Sequence, residues 1–465
     1  MLGLFNTLSL GARALQANQL GVEVTGQNLA NSSNAAYARQ QVVLSTSTPT
    51  PTSLGMQGTG VQVSSIQQVR DALLDGQVRD ESSVGGYWNS QQSALESAQG
   101  QLGEFLNLNS SSPDSQGLSD EINNLFNSFQ SLATSPTSTS DRQDVVNQAQ
   151  TLAQGFNQVS QQLSSLNDSL NTSVTNNVTS ANQLLSQIAE LNGQIANATA
   201  SGGNANDLND TREQDLENLA KLVKIQTTTN ANGTVNVSIG GTQLVSGKQA
   251  LDTLQAYDPG NGQLQVRTAT GGTPLTLSGG SIQGTIDARD GALQTLRSNL
   301  DTLASSLISQ VNGIYSTGYD LNGNTGGTLF TGTNAATIAV NSSLQTDPSL
   351  VQAAGVSGAT GDNSVALQLA QLGSQSIAGL NNQTFSDAFA SQVGAFGFAL
   401  SNANAEVTNH SSVASMLQNQ RDSVSGVSIE EEVANLITFQ QAYSASSKII
   451  TTVDQMLQTV VSLKN

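Results

Sequence analysis

Two stretches of this chain place an apolar residue at alternating steps of three and four, and they lie at its opposite ends. Positions 5, 8, 12, 15, 19, 22, 26 and 29 hold Phe, Leu, Ala, Leu, Gln, Val, Gly and Leu. Positions 436, 439, 443, 446, 450, 453, 457 and 460 hold Leu, Phe, Tyr, Ser, Ile, Val, Leu and Val. Such spacing keeps one seam of a helix facing a partner. It predicts helices from about residue 4 to 30 and from about 429 to the C terminus, so the fold has to manage two sticky ends. The seam residues are Phe5, Leu8, Leu15, Val22 and Leu29 at one end, and Leu436, Phe439, Tyr443, Ile450, Val453, Leu457 and Val460 at the other. Periodicity alone does not say whether the partner lies in the same chain or in another copy. The position of the seams at the two extremes favours a two-helix module that also presents a face to neighbours.

The start and stop signals agree with the spacing. The first helix is expected to end at Asn31, a residue type that tolerates the left-handed conformation. At the other end Gly426 breaks the preceding helix, Ser428 caps the next, and Glu430, Glu431 and Glu432 fill its first turn, where negative charge suits the helix N terminus. That last helix is about 36 residues and about 54 Å long.

Composition limits what lies between. Of 465 residues only 11% are charged and 4% aromatic, with a single Trp, Trp88. The length allows two to four domains. Thin cores in an extended, helix-rich chain fit so few large side chains. The net charge of −19 contains no basic block, which argues against nucleic acid and anionic membrane surfaces as partners. No run of 18 apolar residues is present. The opening "MLGLFNTLSLGARALQ" lacks the charged and apolar regions of an ordinary secretory signal. With no Cys and one His, His410, thiol catalysis, disulfides, Cys-based zinc sites and His-pair metal sites are all excluded.

Helical patterns follow at 71–108, 116–134 and from Ser140 to about 200, with a further helix to about 223. From Lys224 the period changes to two, and "NANG" and "GG" mark hairpins. The domain reading is therefore 1–40 as the N-terminal part of an inner helical domain, 41–224 a helical trunk, and 225–284 a β-rich outer domain. A trunk helix at 285–317, outer loops or the remainder of the β domain at 318–375, a trunk helix at 376–426 and the C-terminal part of the inner domain at 427–465 complete it. The fold class is mainly α with a small β-rich insertion. It is an elongated multi-domain rod whose terminal helices pair as a coiled-coil-like inner domain, with the insertion at the far end.

Site-like features read blandly. "DLNGNTGG" at 320–327 has Thr325 and Thr331 where an oxygen-ligand calcium loop needs Gly and Glu, and an Asx turn suits it better. Three consecutive glutamates on a helix point about 100° apart and cannot converge on one atom. His410 stands without a Ser or Asp constellation and is read as a solvated surface residue. No catalytic residue, cofactor or metal site is expected.

At both ends the chain resembles the bacterial flagellar axial proteins, through "LANSSNAAYARQQVVL" and "SVSGVSIEEEVANLITFQQAYSASSKIITTVDQMLQTVV". The segments "NDLNDTREQDLENLAKLVKIQTTTNANGTVNVSIGGTQLVSG" and "GGSIQGTIDARDGALQTLRSNLDTLASSLISQVNGIYSTGYDLNGN" are similar to the mid-chain of that family's hook–filament junction members. Ala36 stands where the family usually has Gly before the aromatic, and the short stretch after Phe330 implies a reduced or missing distal insertion. The resemblance implies a non-enzymatic building block of the hook–filament junction, contacting copies of itself, hook protein and the second junction protein. It also implies a cytoplasmic export chaperone at the C-terminal helix, and export by the flagellar type III route to an extracellular site without a cleaved signal. Asn31, Tyr37 and Arg39 would then form the turn that leads from the inner helix to the next layer. The alternatives are another axial protein (second junction protein, hook protein or flagellin) and, from a different class, an extracellular binding module that uses the β insertion.

Overall fold

The computed structural model describes residues 2–34, 36–52, 55–103 and 117–463. Helix α1 (Leu2–Ala30) ends where expected but by another device. The Asn31 N–H and side-chain amide both bond the Gln27 carbonyl. Among described residues only Asn381 and Asn382 are non-glycines with positive φ, so the left-handed stop expected at Asn31 is corrected to a side-chain cap. Strand β1 (Gln40–Thr46) then runs out to a short hairpin, β2 (Thr50–Thr52) and β3 (Gly55–Gln57), and β4 (Val61–Gln68) returns antiparallel to β1.

Three long traverses build the trunk. Helix α2 (Ala72–Leu102) leads outward, its first turn capped by Asp71 Oδ1, which accepts from the N–H groups of Leu73 and Leu74. The expected extension of this helix through 104–108 lies outside the described residues. Helix α3 (Leu118–Thr134) turns the chain, and α4 (Thr139–Ala200) brings it back over 62 residues, about 93 Å. Its cap is Ser138, whose Oγ accepts from Asp141 N–H, and not Ser140. Helix α5 (Asn206–Leu222) starts outward again.

Because α4 has already returned the chain, the β layer does not cap the far end of the rod as expected. The antiparallel sheet of β5 (Ile225–Thr229), β6 (Val235–Ile239), β7 (Thr242–Ser246) and β8 (Gln249–Ala250) lies along the flank of the trunk. Val235, Val237 and Ile239 alternate inward into one buried core with Val178, Leu185 and Ile188 of α4 and Leu219 of α5. Gly240 and Gly241, at φ 56° and 80°, make the tight turn between β6 and β7. A second hairpin, β9 (Leu254–Tyr257) with β10 (Gln265–Thr268), shares this core.

Helix α6 (Gly280–Ala288) passes through a π-turn at Arg289–Leu293 into α7 (Gln294–Tyr315), which leads to the far end. There the ribbon of β11 (Phe330–Thr331) and β12 (Ala339–Val340), the short α8 (Ser342–Thr346) and α9 (Ser364–Leu372) pack with α3, α7 and the first half of α4. Residues 329–372 thus belong to this distal core and not to the β layer. Helix α10 (Phe385–Ser425) returns along α2, and Ser428 caps α11 (Ile429–Ser462) by accepting from Glu431 N–H. The exposed area of 22207 Å² exceeds the roughly 16,500 Å² of a globular protein of this mass, which agrees with a rod.

Where bulky residues are few, helices have to approach on glycine. A Cβ on Gly86 of α2 would overlap the Lys221 carbonyl of α5, and one on Gly284 of α6 would overlap the Tyr87 carbonyl. Both obstacles are backbone and cannot yield. Gly284→Ala is therefore expected to destabilise the chain by about 1–3 kcal/mol. Gly313→Ala, in open space on α7, should stabilise by about 0.5–1 kcal/mol. Thermal unfolding of the two variants checks the contrast, and a neutral Gly284→Ala would refute the close approach.

Candidate functional site: the inner helix pair and its junction with the trunk

Helices α1 and α11 pack against each other along most of their length. On α11 the contact uses part of the expected seam. Val453 is buried, Leu436, Phe439, Ile450 and Leu457 are half-buried, and Tyr443 and Val460 stay exposed. On α1 the contact falls one position off the expected register. Gly11, Ala17, Gly21, Val24, Thr25 and Asn28 are buried, whereas Leu8, Leu15, Val22 and Leu29 are only half-buried and Phe5 is 56% exposed.

Size explains the shift. The Phe439 ring lies over Gly21, where a Cβ would come within 2.6 Å of it, and Ile450 lies over Gly11 at 3.1 Å. One helix supplies large side chains and the other a row of small ones, and Asn18 Nδ2 donates to Ser446 Oγ between these two contacts. The larger apolar row of α1 is left as a flank. Further along α11, Ile449, Met456, Val460 and Leu463 recur at helical spacing and are exposed, Met456 by 52% and Leu463 by 82%.

The pair joins the trunk at Asn28. This buried side chain accepts from the Tyr37 hydroxyl (2.8 Å) and from Gln40 N–H (2.9 Å), and donates to the Gln40 carbonyl (2.8 Å) and to Glu432 Oε2 (3.0 Å). It thus ties together α1, the linker, β1 and α11. Burial, with Asp207, Asp210 and Glu432 nearby, pushes the Tyr37 phenol well above its ordinary range, so it stays a donor. Arg39 Nη1 reaches Glu431 at 3.0 Å, and Arg39 N–H donates to the Ser425 carbonyl at 2.8 Å. Asn31, Tyr37 and Arg39 line one cleft of about 560 Å³ together with Val427, Ser428 and Glu431.

A second tier fixes the strand arm to α5. Gln40 Nε2 donates to Asp207, Gln68 Nε2 to Asp210, and Arg70 to Asp210 at 2.5 Å and to Asp75 at 3.2 Å. Burial raises the Asp210 carboxyl although Arg70 opposes the rise. Burial lowers the Arg70 guanidinium, but the bond to Asp210 and the charges of Asp75, Asp210 and Glu213 together hold it above its ordinary value. Farther along α5, Glu213 pairs with Arg79 of α2 and Glu217 with Arg421 of α10.

The glutamate trio diverges as expected, but its members are not all solvated: Glu432 is buried against Asn28 while Glu431 holds Arg39. His410 is also no free surface group. Its Nδ1 lies 2.8 Å from Glu81 Oε1, joining α10 to α2. Asp320 forms the Asx turn, its Oδ1 accepting from the N–H groups of Asn322 and Asn324. No cluster of three metal-ligating side chains occurs among the described residues. Asn28 was missed as a site residue because its partners lie up to 404 positions away. Only the row of small residues at 11, 14, 18, 21, 25 and 28 could have pointed to the true register of α1.

Known proteins match this arrangement. The family described as "Flagellar hook-associated protein FlgK helical domain" matches residues 106–330, and "Flagellar basal body rod FlgEFG protein C-terminal" matches residues 415–463. Flagellar hook-associated protein 1 of Bacillus subtilis is 28% identical, the match covering 99% of each chain. That of Escherichia coli is 24% identical over all of both chains. The latter alignment spans 559 positions against 465 residues here, so that relative carries segments without a counterpart in this chain. In fold, the chain is similar to the flagellar hook junction protein FlgK from Burkholderia pseudomallei, with a TM-score of 0.63 and 20% identity over 75% of this chain and 100% of that one. Over nearly its whole length the chain is similar to flagellar hook-associated protein 1, and over residues 106–330 to the helical domain of that family.

Proposed function

We propose that this chain is a structural subunit of the bacterial flagellum that forms the junction between hook and filament, and that it assembles through its terminal helices. The observation that carries the reading is the unburied apolar surface on both inner helices. Phe5 on α1 and Met456 and Val460 on α11 are exposed, and Leu8, Leu15 and Val22 on α1 only half-buried, in a pair of helices whose own contact does not cover them. Two helices with outward apolar rows bury them when copies pack side by side. Support also comes from the family and from the acidic groups at the junction, each of which is taken up by its own structural partner.

In this reading the subunit contacts copies of itself, hook protein on one side and the second junction protein on the other. An export chaperone covers α11 before secretion, and the protein works outside the cell, delivered by the flagellar type III route. Residues 31–39 set the angle at which the trunk leaves the inner pair. The role is architectural and not enzymatic.

Deleting the gene in its host and imaging the cells by electron microscopy tests the function. Hooks without filaments, with flagellin lost to the medium, are expected, and normal filaments would reject the reading. Leu15→Asp and Leu457→Asp should abolish incorporation while leaving the trunk's thermal transition in place, since each puts a charge into an apolar contact. Junctions of normal number built from either variant would count against the terminal helices. Asn28→Ala strands the polar groups of Gln40 and Glu432, and should lower the local opening free energy of β1 by about 2 kcal/mol. Amide exchange of residues 40–46, compared with that of α4, reads this directly.

A further inference from the structure

Charge is divided unequally along this chain. The terminal segments 1–40 and 427–465 hold four basic residues, Arg13, Arg39, Lys448 and Lys464, against five acidic ones, Glu23, Glu430, Glu431, Glu432 and Asp454. Of the chain's 15 basic and 34 acidic residues, that leaves 11 against 29 in residues 41–426, so the trunk carries −18 of the net −19.

Folding makes the contrast sharper. Six of the trunk's eleven basic residues face inward. Arg70, Arg79, Arg289 and Arg421 are spent on internal ion pairs with Asp210, Glu213, Asp290 and Glu217. Arg142 donates to the carbonyls of Pro136 and Val351, and Arg212 to that of Gly233 and to Asn192. On the outside, Glu96 of α2 and Asp144, Asp168 and Glu190 along α4 are exposed. Lys221, Lys224, Lys248, Arg267 and Arg297 are the basic groups that remain to balance the trunk's outer face. Such a surface offers an identical neighbour mostly negative charge, whereas the segments of the inner helix pair carry a net charge of only −1.

We infer that the acidic trunk opposes self-association of the inner helix pairs, so that ionic strength gates assembly of the ring. This rests on the self-assembly reading above. Neighbouring trunks repel over about 30 Å at 0.01 M salt and over about 8 Å at 0.15 M, while apolar contact between inner helices does not depend on screening. A surface built for complementary ionic contacts would behave in the opposite sense, weakening as salt rises.

The test is sedimentation velocity of the full chain at several concentrations, in 10 to 300 mM NaCl, beside a variant carrying Glu96→Gln, Asp144→Asn, Asp168→Asn and Glu190→Gln. Association of the parent should tighten by about tenfold or more over this range, and the variant should reach the same association at lower salt. Association that ignores salt or weakens with it overturns the gating and leaves self-assembly standing. Absence of association at every salt overturns both. Leu457→Asp, expected to stay monomeric throughout, shows that the association measured uses the helix pair. Should the quadruple variant fail to fold, as judged by its thermal transition, the parent's own salt dependence decides.

Discussion

The structure depends on one continuous apolar stripe along α4. From Val145 to Ile195 an inward residue recurs at nearly every turn, and α3, α5, α6 and the β layer pack against some length of it, while α10 packs chiefly on α2. The first half supports α3 and the distal loops, the second half the β layer and α5. Because one 62-residue helix serves both cores, neither moves without the other, and the trunk behaves as a single strut despite its two separate hydrophobic clusters. With 4% aromatic residues, the helices around this strut are held by close approach more than by bulk. Gly86 and Gly284 let backbone meet backbone, where dispersion contacts are dense and tolerance to change is small.

Much of this was legible in the sequence because it is periodic. The long helices, the switch to period two at Lys224, the Gly240–Gly241 turn and the capping of α11 by Ser428 are local properties. The path of the chain was less legible. Reading 139–200 as a helix does not say which way it runs, and that direction decides whether the following strands lie at the far end or on the flank. Distal packing of residues 329–372 was hidden for a related reason: Leu329, Phe330, Ile338 and Leu344 are buried by helices distant in sequence.

At the inner end, the seam on α11 could be read from its large residues, whereas α1 misled. The rule that large apolar residues mark the contact fails when the partner brings the bulk, and Gly21 beneath Phe439 is such a case. The polar junction was invisible for another reason. Asn28 looks like any helix-terminal Asn until Gln40, Tyr37 and Glu432 converge on it, and no single-sequence pattern connects residue 28 to residue 432. Hydrogen-bonding groups there are paired across α1, the linker, β1 and α11, which makes the junction directional as well as stable.

The nesting of Phe439 on Gly21 also has a temporal meaning. The two residues are separated by almost the whole chain, so α1, made first, cannot find its register until the last segment has been completed. Closing so long a loop through an unfolded chain is slow, and it becomes quick only after the trunk has brought α2 and α10 together. The inner pair is thus the final element to form, and its apolar rows remain available throughout the earlier life of the polypeptide.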